Sequence, residues 1–406
     1  MDRRDFLVGT GVVAGTSLLT SSSVYGLDWG AVRREFRLDP GLVNLGLFYL
    51  ASNPRQVRDE VERVKRHLDA NSHDFLPDMG TRPREALASY VGGAAGDIAQ
   101  VPNTTTGLGL VYQGLKIRPD QEILLNDQDH VWHQRSAQLA AERSGARVRI
   151  GTLHESSARA TEDEIATRLR ASITPQTRAV GITWVQSSTG LKMPVRTVAQ
   201  VVADANRGRA EADRCLLIVD GVHGLAAVDE DAAQMGADVF IAGTHKWLFG
   251  PRGTGMVWVR PDASQHIRQT IPGLDNSTAT TALGLGGFHA FEHFYAVHAA
   301  VAFHQRLGRP QVAARITELS TRFRDGLAST RGITLHTPRD PELSAGITCF
   351  DVDGVSSDKV VDHLAAKRIQ ITKAAYRIPY ARIGTSILNT PSEIDAALRA
   401  IRQLTR

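Results

Sequence analysis

Between about residues 55 and 260 the chain alternates two kinds of hydrophobic pattern. Pro54–Ala70 and Pro83–Val91 repeat their apolar positions with helical spacing. Glu122–Leu125, Arg147–Ile150, Ala179–Val185, Cys215–Val219 and Asp238–Ala242 are short strand-like segments carrying Val, Ile, Leu and Ala. Such runs, separated by helical stretches, predict strands covered on both faces and hence a mostly parallel α/β sheet. Sheets of this kind bind ligands at the carboxyl ends of their strands. After Gly287 the texture changes. Phe288–Leu307 and Gln311–Leu327 predict two helices, followed by strands at Ile333–His336 and Ile347–Val352. A helix over Ser357–Lys367, a strand at Ile369–Thr372 and a last helix from Ser392 complete the chain. We expect a large domain with its N-terminal arm over 27–289 and a smaller α+β domain over 290–406.

The first 26 residues follow neither pattern. Arg3-Arg4 precede a mildly apolar stretch from Val8 to Leu19, with Val24 and Gly26 suited to a cleavage site. This predicts a twin-arginine signal peptide over 1–26 and an exported, periplasmic or extracellular protein. The apolar stretch is short for a membrane span.

The 406 residues carry 47 Lys+Arg against 43 Asp+Glu, a net charge of +4. Without a basic cluster this points away from nucleic acid. Two cysteines, Cys215 and Cys349, are too few for a disulfide framework or a four-thiolate zinc site.

The strand ends carry the chemistry. Cys215–Val219 runs into Asp220-Gly221-Val222-His223, and Asp238–Ala242 into Gly243-Thr244-His245-Lys246. An acid and a lysine at neighbouring strand ends are what pyridoxal phosphate requires. The amine bonds its aldehyde, and the acid keeps its ring nitrogen protonated. Thr104-Thr105-Thr106-Gly107, ahead of an apolar helix, suits the phosphate. His130 is the candidate ring to stack on the cofactor, with Trp132 and His133 as alternatives.

Taken in order, Asn103–Gly107, Asp129-His130, Gln186–Gly190 with Pro194-Val195, Asp220–His223, Thr244–Lys246, and Arg382-Ile383 with Asn389-Thr390 resemble the class V aminotransferase group of fold-type I pyridoxal-phosphate enzymes. That group includes cysteine desulfurases and isopenicillin-N-epimerase-like proteins, and the sequence is most similar to the latter branch. The resemblance implies a homodimer with a fold-type I large domain, acting on a small amino compound. It implies that Lys246 is the Schiff-base lysine and the base at the substrate Cα, and that Asp220 pairs with the ring nitrogen. It places His223 and Ser187 near the ring hydroxyl, with Ser188 as competitor. It puts Thr105, Thr106, Thr244 and His245 on the phosphate and His130 on the ring face. Arg382 is expected to grip the substrate carboxylate, with Arg377 as a competing anion ligand, and Asn44 to line the pocket. An exported enzyme of this fold is also similar to the periplasmic pyridoxal-phosphate enzymes of siderophore (pyoverdine) maturation.

The desulfurases carry a cysteine before the carboxylate arginine. None stands between Gly354 and Arg382, which turns the expectation from persulfide chemistry toward transamination or epimerisation. Elimination at Cβ and oxidation remain alternatives. One motif supports another class. His289-Ala290-Phe291-Glu292-His293 matches H-x-x-E-H, a zinc metalloprotease signature if a helix brings the histidines to one face. A binding protein that kept the fold without catalysis is the third reading.

Overall fold

The computed structural model describes residues 27–272 and 278–405. The expected signal peptide lies outside the described residues. No described helix is long and apolar enough to cross a membrane.

In chain order the strands are β1 (Val43–Asn44), β2 (Ile98–Val101), β3 (Glu122–Asn126), β4 (Arg147–Gly151), β5 (Thr177–Thr183), β6 (Leu216–Asp220), β7 (Val239–Gly243), β8 (Gly255–Val259), β9 (Ile333–Leu335), β10 (Ile347–Val352), β11 (Ile369–Gln370), β12 (Thr372–Lys373) and β13 (Ala381–Gly384). Seven of them form one sheet in the order β2-β8-β7-β6-β5-β3-β4. The neighbours from β7 through β4 run parallel, and β8 is antiparallel to both β7 and β2. β3 and β5 through β8 are buried at every position, as unbroken apolar strands covered on both faces should be. β4, with arginines at alternate positions, is the partly exposed edge.

Two hydrophobic clusters cover the two faces of this sheet, and a third fills the C-terminal unit. There a four-stranded antiparallel sheet, β12-β13-β10-β9, packs on the helices Arg309–Ala328, Ser357–Ala365 and Pro391–Arg402.

The contacts differ from the sequence expectation in three places. The predicted helix Phe288–Leu307 is two helices, Phe291–Tyr295 and Val297–Leu307. The second packs on Arg55–Ala70 and Arg82–Val91, and its apolar residues join the core of the large unit rather than that of the C-terminal unit. The predicted strand Ile369–Thr372 divides at Ile371. β11 pairs in parallel with β1 of the N-terminal arm, while β12 pairs with β13. The β1 segment of the arm thus joins the C-terminal unit, with Leu45 in that unit's core, while Val32, Phe36, Leu47, Phe48 and Ala51 of the same arm pack in the core of the large unit.

Candidate active site

The carboxyl ends of β6 and β7 lie side by side, with Asp220 in register with Ile241. Asp220 ends β6 because the chain must leave the sheet there. Gly221 N donates back to Ile241 O at 2.8 Å, and a Cβ on Gly221 would stand 2.1 Å from the Phe240 ring. Gly224 meets Trp184 as closely, at 1.9 Å. Only glycine lets this turn lie so near the sheet. Asp220 is 2 % exposed and accepts one hydrogen bond, from Val222 N at 3.1 Å. Burial pushes its carboxyl up to about 6, against the pull of that N–H and of Lys246.

Beyond β7 the chain folds Thr244–Gly250 into a closed loop, Gly250 N donating to Thr244 O at 2.8 Å. Asn53 fastens it from the arm side, donating to Phe249 O at 3.0 Å and Gly250 O at 2.7 Å. Among the described residues three non-glycines have positive φ. Two of them, Ala226 at 67° and Phe249 at 59°, sit in the turns that carry Asp220 and Lys246. Strain of this kind collects where a loop is held for function. Burial lowers the Lys246 ammonium to about 8, with Asp220 opposing and Arg382 adding to the shift. Its Nζ lies 3.3 Å from His223 Nε2.

Asn103 caps the helix Thr104–Gly114 by accepting from Thr106 N at 2.8 Å. The Thr104 hydroxyl accepts from Gly243 N at 2.8 Å and so ties the helix start to the end of β7. Thr105 is exposed and Thr106 half-buried at that N-terminus, where the first amides have no intrahelical acceptor. An anion is favoured there. His245 faces the same corner and donates from Nδ1 to Thr254 O at 3.1 Å. Thr244 is different. Its hydroxyl is fully buried and paired with Thr254 Oγ1 at 2.5 Å, so it braces the lysine loop from within.

His130 caps the helix Val131–Ser144, its Nδ1 accepting from Trp132 N at 3.2 Å. Burial and the nearby Lys246 and Arg382 lower it to about 4, so the ring is neutral. Trp132 points outward, half-exposed, and His133 is fully buried against Tyr112. Neither occupies the position of His130. The adjacent Asp129 is buried, its two oxygens taken by Asn126 N and Thr183 N. Ser187 Oγ bonds the Tyr376 hydroxyl at 2.7 Å, whereas Ser188 donates away to Gln128 O.

Arg382 enters from β13. It is 6 % exposed and donates only to neutral oxygens: Ser187 O at 2.8 Å, Thr372 Oγ1 at 3.1 Å and Lys373 O at 3.5 Å. Its guanidinium lies 4.9 Å over the Phe48 ring. No described acid forms an ion pair with it, so a buried cation is left for an incoming anion. Arg377 is exposed on the loop outside. Asn44 accepts through its side-chain oxygen from Gly46 N at 2.9 Å and through its main-chain carbonyl from Asn389 Nδ2 at 2.9 Å, bonds that shape the arm.

Three residues here carry no strong sequence signal. Tyr376 stands in the sequence only as a neighbour of Arg382, yet its hydroxyl reaches Ser187 and its ring meets His130 edge-on with centroids 5.7 Å apart. Trp247 donates to His223 Nδ1 at 3.3 Å. Phe48 packs between Arg382 and the Trp247 and His223 rings. The chemically reactive types flag themselves in a sequence, whereas an aromatic on a loop reads as core.

The H-x-x-E-H segment does not form a metal face. His289 precedes its helix and its ring packs on Phe291 and Phe294, and His293 Nδ1 bonds Arg252 O. No cluster of three or more possible ligands occurs among the described residues. Both cysteines are fully buried, Cys215 just before β6 and Cys349 within β10, where burial pushes their thiols up to about 12.

Comparisons with known proteins bear on the family and the fold. The chain is 27 % identical over 402 residues to isopenicillin N epimerase of Streptomyces clavuligerus, covering 93 % of this chain and 98 % of that one. It is 30 % identical over 232 residues to a probable hercynylcysteine sulfoxide lyase of Mycobacterium tuberculosis, covering 55 % and 56 % of the two chains. Among solved structures, the cysteine desulfurase CsdA of Escherichia coli superposes with a TM-score of 0.80 at 18 % identity, over 93 % of this chain and 98 % of that one. The cystine C-S lyase C-DES superposes equally well, with a TM-score of 0.80 at 21 % identity over 89 % and 98 %. The aminotransferase class-V family model matches residues 51–377, and the protein is therefore an enzyme of that pyridoxal-phosphate-dependent family.

Proposed function

We propose that the protein acts on the amino group and Cα of an amino acid or amino-acid-derived substrate, by epimerase-like proton transfer or by transamination. The observation that carries this reading is the buried, acid-free Arg382 guanidinium at the cleft that holds Lys246. A cation so placed recognises a carboxylate, and the lysine beside it, its ammonium lowered to about 8, gives up its proton far more readily than an exposed lysine.

The site fits the cofactor by its own unmet needs. Asp220 is a buried acid lacking a full-strength cation and would hold the ring nitrogen. The Thr104–Thr106 helix start with His245 would hold the phosphate. His130 would cover a ring face, and Ser187 and His223 would meet the ring hydroxyl. The bound cofactor supplies an electron-accepting ring that acidifies the carbon next to the substrate nitrogen. Lys246, with its proton affinity lowered by burial, takes or returns a proton at that carbon. Arg382 fixes the carboxylate and with it the bond presented for cleavage. Tyr376 and Ser187 close the cleft from opposite domains.

Two features support this over a thiol-based desulfurase. Both cysteines are buried packing residues, and the segment from Gly354 to Arg382 contains no cysteine and brings the Tyr376 phenol to Ser187. Export by the twin-arginine route and a homodimeric assembly belong to the same proposal. They rest on Arg3-Arg4 with the following apolar stretch, and on the family resemblance.

The test is a spectrum followed by an exchange experiment. The purified chain should show a visible absorption band that borohydride abolishes. In deuterated buffer it should exchange the Cα hydrogen of a preferred L- or D-amino acid. The antipode as product means epimerisation, an oxo acid transamination, and release of a β-substituent lyase chemistry. A colourless protein that gains no band with added pyridoxal phosphate would overturn the proposal.

A further inference from the structure

Lys246, His223 and Trp247 form a closed chain of contacts, and the donor and acceptor chemistry of its members permits few proton arrangements. An indole nitrogen can only donate. Trp247 Nε1 lies 3.3 Å from His223 Nδ1, so that nitrogen must present its lone pair. A neutral imidazole with a bare Nδ1 carries its proton on Nε2, which lies 3.3 Å from Lys246 Nζ. An N–H pointed at the lysine needs a lone pair to meet it, and only the uncharged amine has one. In the opposite arrangement a lysine ammonium donates to Nε2. His223 would then carry its proton on Nδ1, where it would confront the indole N–H.

We propose that Trp247 is a positioning residue: its indole N–H selects the His223 tautomer that donates to Lys246 and thereby favours the free-base form of the reacting amine. This rests on the reading of Lys246 as the amine that bonds the cofactor.

The surroundings make the selection effective. His223 and Trp247 are both buried, so water does not compete for either bond. Phe48 seals them, its ring 5.8 Å from His223 and 6.4 Å from Trp247. The indole is held at its far end by Gly346, where a Cβ would stand 2.4 Å from the ring. The remaining charged and titratable groups that act on the amine are Asp220 from β6, His130 after β3, the adjacent His245, and Arg382 from β13. Of these, Asp220 alone favours the ammonium. Burial first, then the neighbouring Lys246 and Arg382, push His223 well below the usual imidazole range, so it stays neutral.

The test uses the cofactor-free full-length chain and two readouts that do not depend on turnover. Nitrogen-15 NMR of labelled histidine should show His223 protonated at Nε2 in the wild type. A wild-type ring protonated at Nδ1 overturns the proposal without any variant. The second readout is the rate at which added pyridoxal phosphate is captured covalently, followed by absorbance across pH, with Lys246→Ala as baseline. Trp247→Phe keeps the ring and removes the N–H. Its capture profile should move up by about one pH unit, an approximately tenfold slower capture at neutral pH, the size expected for losing one buried hydrogen bond. An unmoved profile in a folded Trp247→Phe protein overturns the proposal. If Lys246→Ala captures the cofactor as fast as the wild type, the reading of Lys246 itself fails instead.

Discussion

Asp238 and Asp220 are buried carboxylates at opposite ends of neighbouring strands, and they are treated differently. Asp238, just before β7, is bonded by Arg260 and by Arg214, the latter at 3.2 Å, and accepts from Leu217 N at 2.8 Å. Asp220, at the far end of β6, has a single backbone N–H and a lysine whose charge is itself weakened. The same division holds for arginines. Arg178, at the Asp238 end, is buried with its guanidinium bound to Lys116 O, Arg214 O and His266. Arg382, at the Asp220 end, donates only to neutral oxygens and forms no ion pair with a described acid. One end of the sheet satisfies its buried charges within the protein and so holds the fold together. The other leaves them to be satisfied by what binds.

The comparison is most easily broken at Lys246. Lys246→Ala should abolish covalent cofactor capture and lower turnover by about 10³-fold or more while leaving the fold intact. Retained turnover at the wild-type rate would remove the lysine from the chemistry. Asp238→Ala should do the converse. Stranding two arginines costs roughly 3–5 kcal/mol of unfolding free energy, read by urea denaturation. The surviving folded protein should bind cofactor normally, and a wild-type midpoint would show that the ion pairs do not matter.

Arg382→Ala separates the substrate from the cofactor. It should lower kcat/KM for carboxylate-bearing amines by about 10²-fold, mostly through KM, because a charged partner is lost from a desolvated site. Cofactor retention measured by equilibrium dialysis should hardly change. Equal loss of cofactor would make Arg382 a phosphate ligand.

The pH dependence of stability sharpens the contrast further. Folding raises Asp220 from 3.8 to about 6 and Asp129 to about 7. Both acids hold their protons more tightly in the folded chain than in the unfolded one. The stability they lend is complete below about pH 4 and is lost as pH rises toward 7. A cationic ring nitrogen against Asp220 removes its share of that loss. The difference in unfolding free energy between loaded and cofactor-free protein, read as a gap in Tm, should therefore widen from pH 5 to pH 7 by on the order of 1 kcal/mol. Buried histidines such as His133, lowered to about 3, are common to both forms and cancel in the difference. A constant gap would mean that Asp220 does not meet the ring nitrogen. The smallest effect belongs to Tyr376→Phe, which removes one hydrogen bond across the cleft and should cost about tenfold in kcat/KM at unchanged cofactor affinity. No change would leave Tyr376 as packing alone.

Much of this was legible before any coordinates. The apolar runs of β3, β5, β6 and β7 can only be strands covered on both faces, and the parallel sheet follows from their alternation with helices. Asp220 and Lys246 stand out because charged residues directly after such runs emerge together at one edge of the sheet. The order of the site along the chain is a local property, and local properties survive in one dimension. Only the tertiary structure decided the rest. Hydrophobic periodicity tells which face of an element is buried but not against what. For that reason Val297–Leu307 joins the large unit, the arm pairs with β11, and the predicted strand Ile369–Thr372 divides between two sheets. Hydrogen-bond partners distant in sequence are equally invisible. Thr244 turns to Thr254, Ser187 meets Tyr376 across 189 positions, and Trp247 sets its N–H on His223. The residue types announce which chemistry is available, and packing determines which groups are already satisfied and which are left to act.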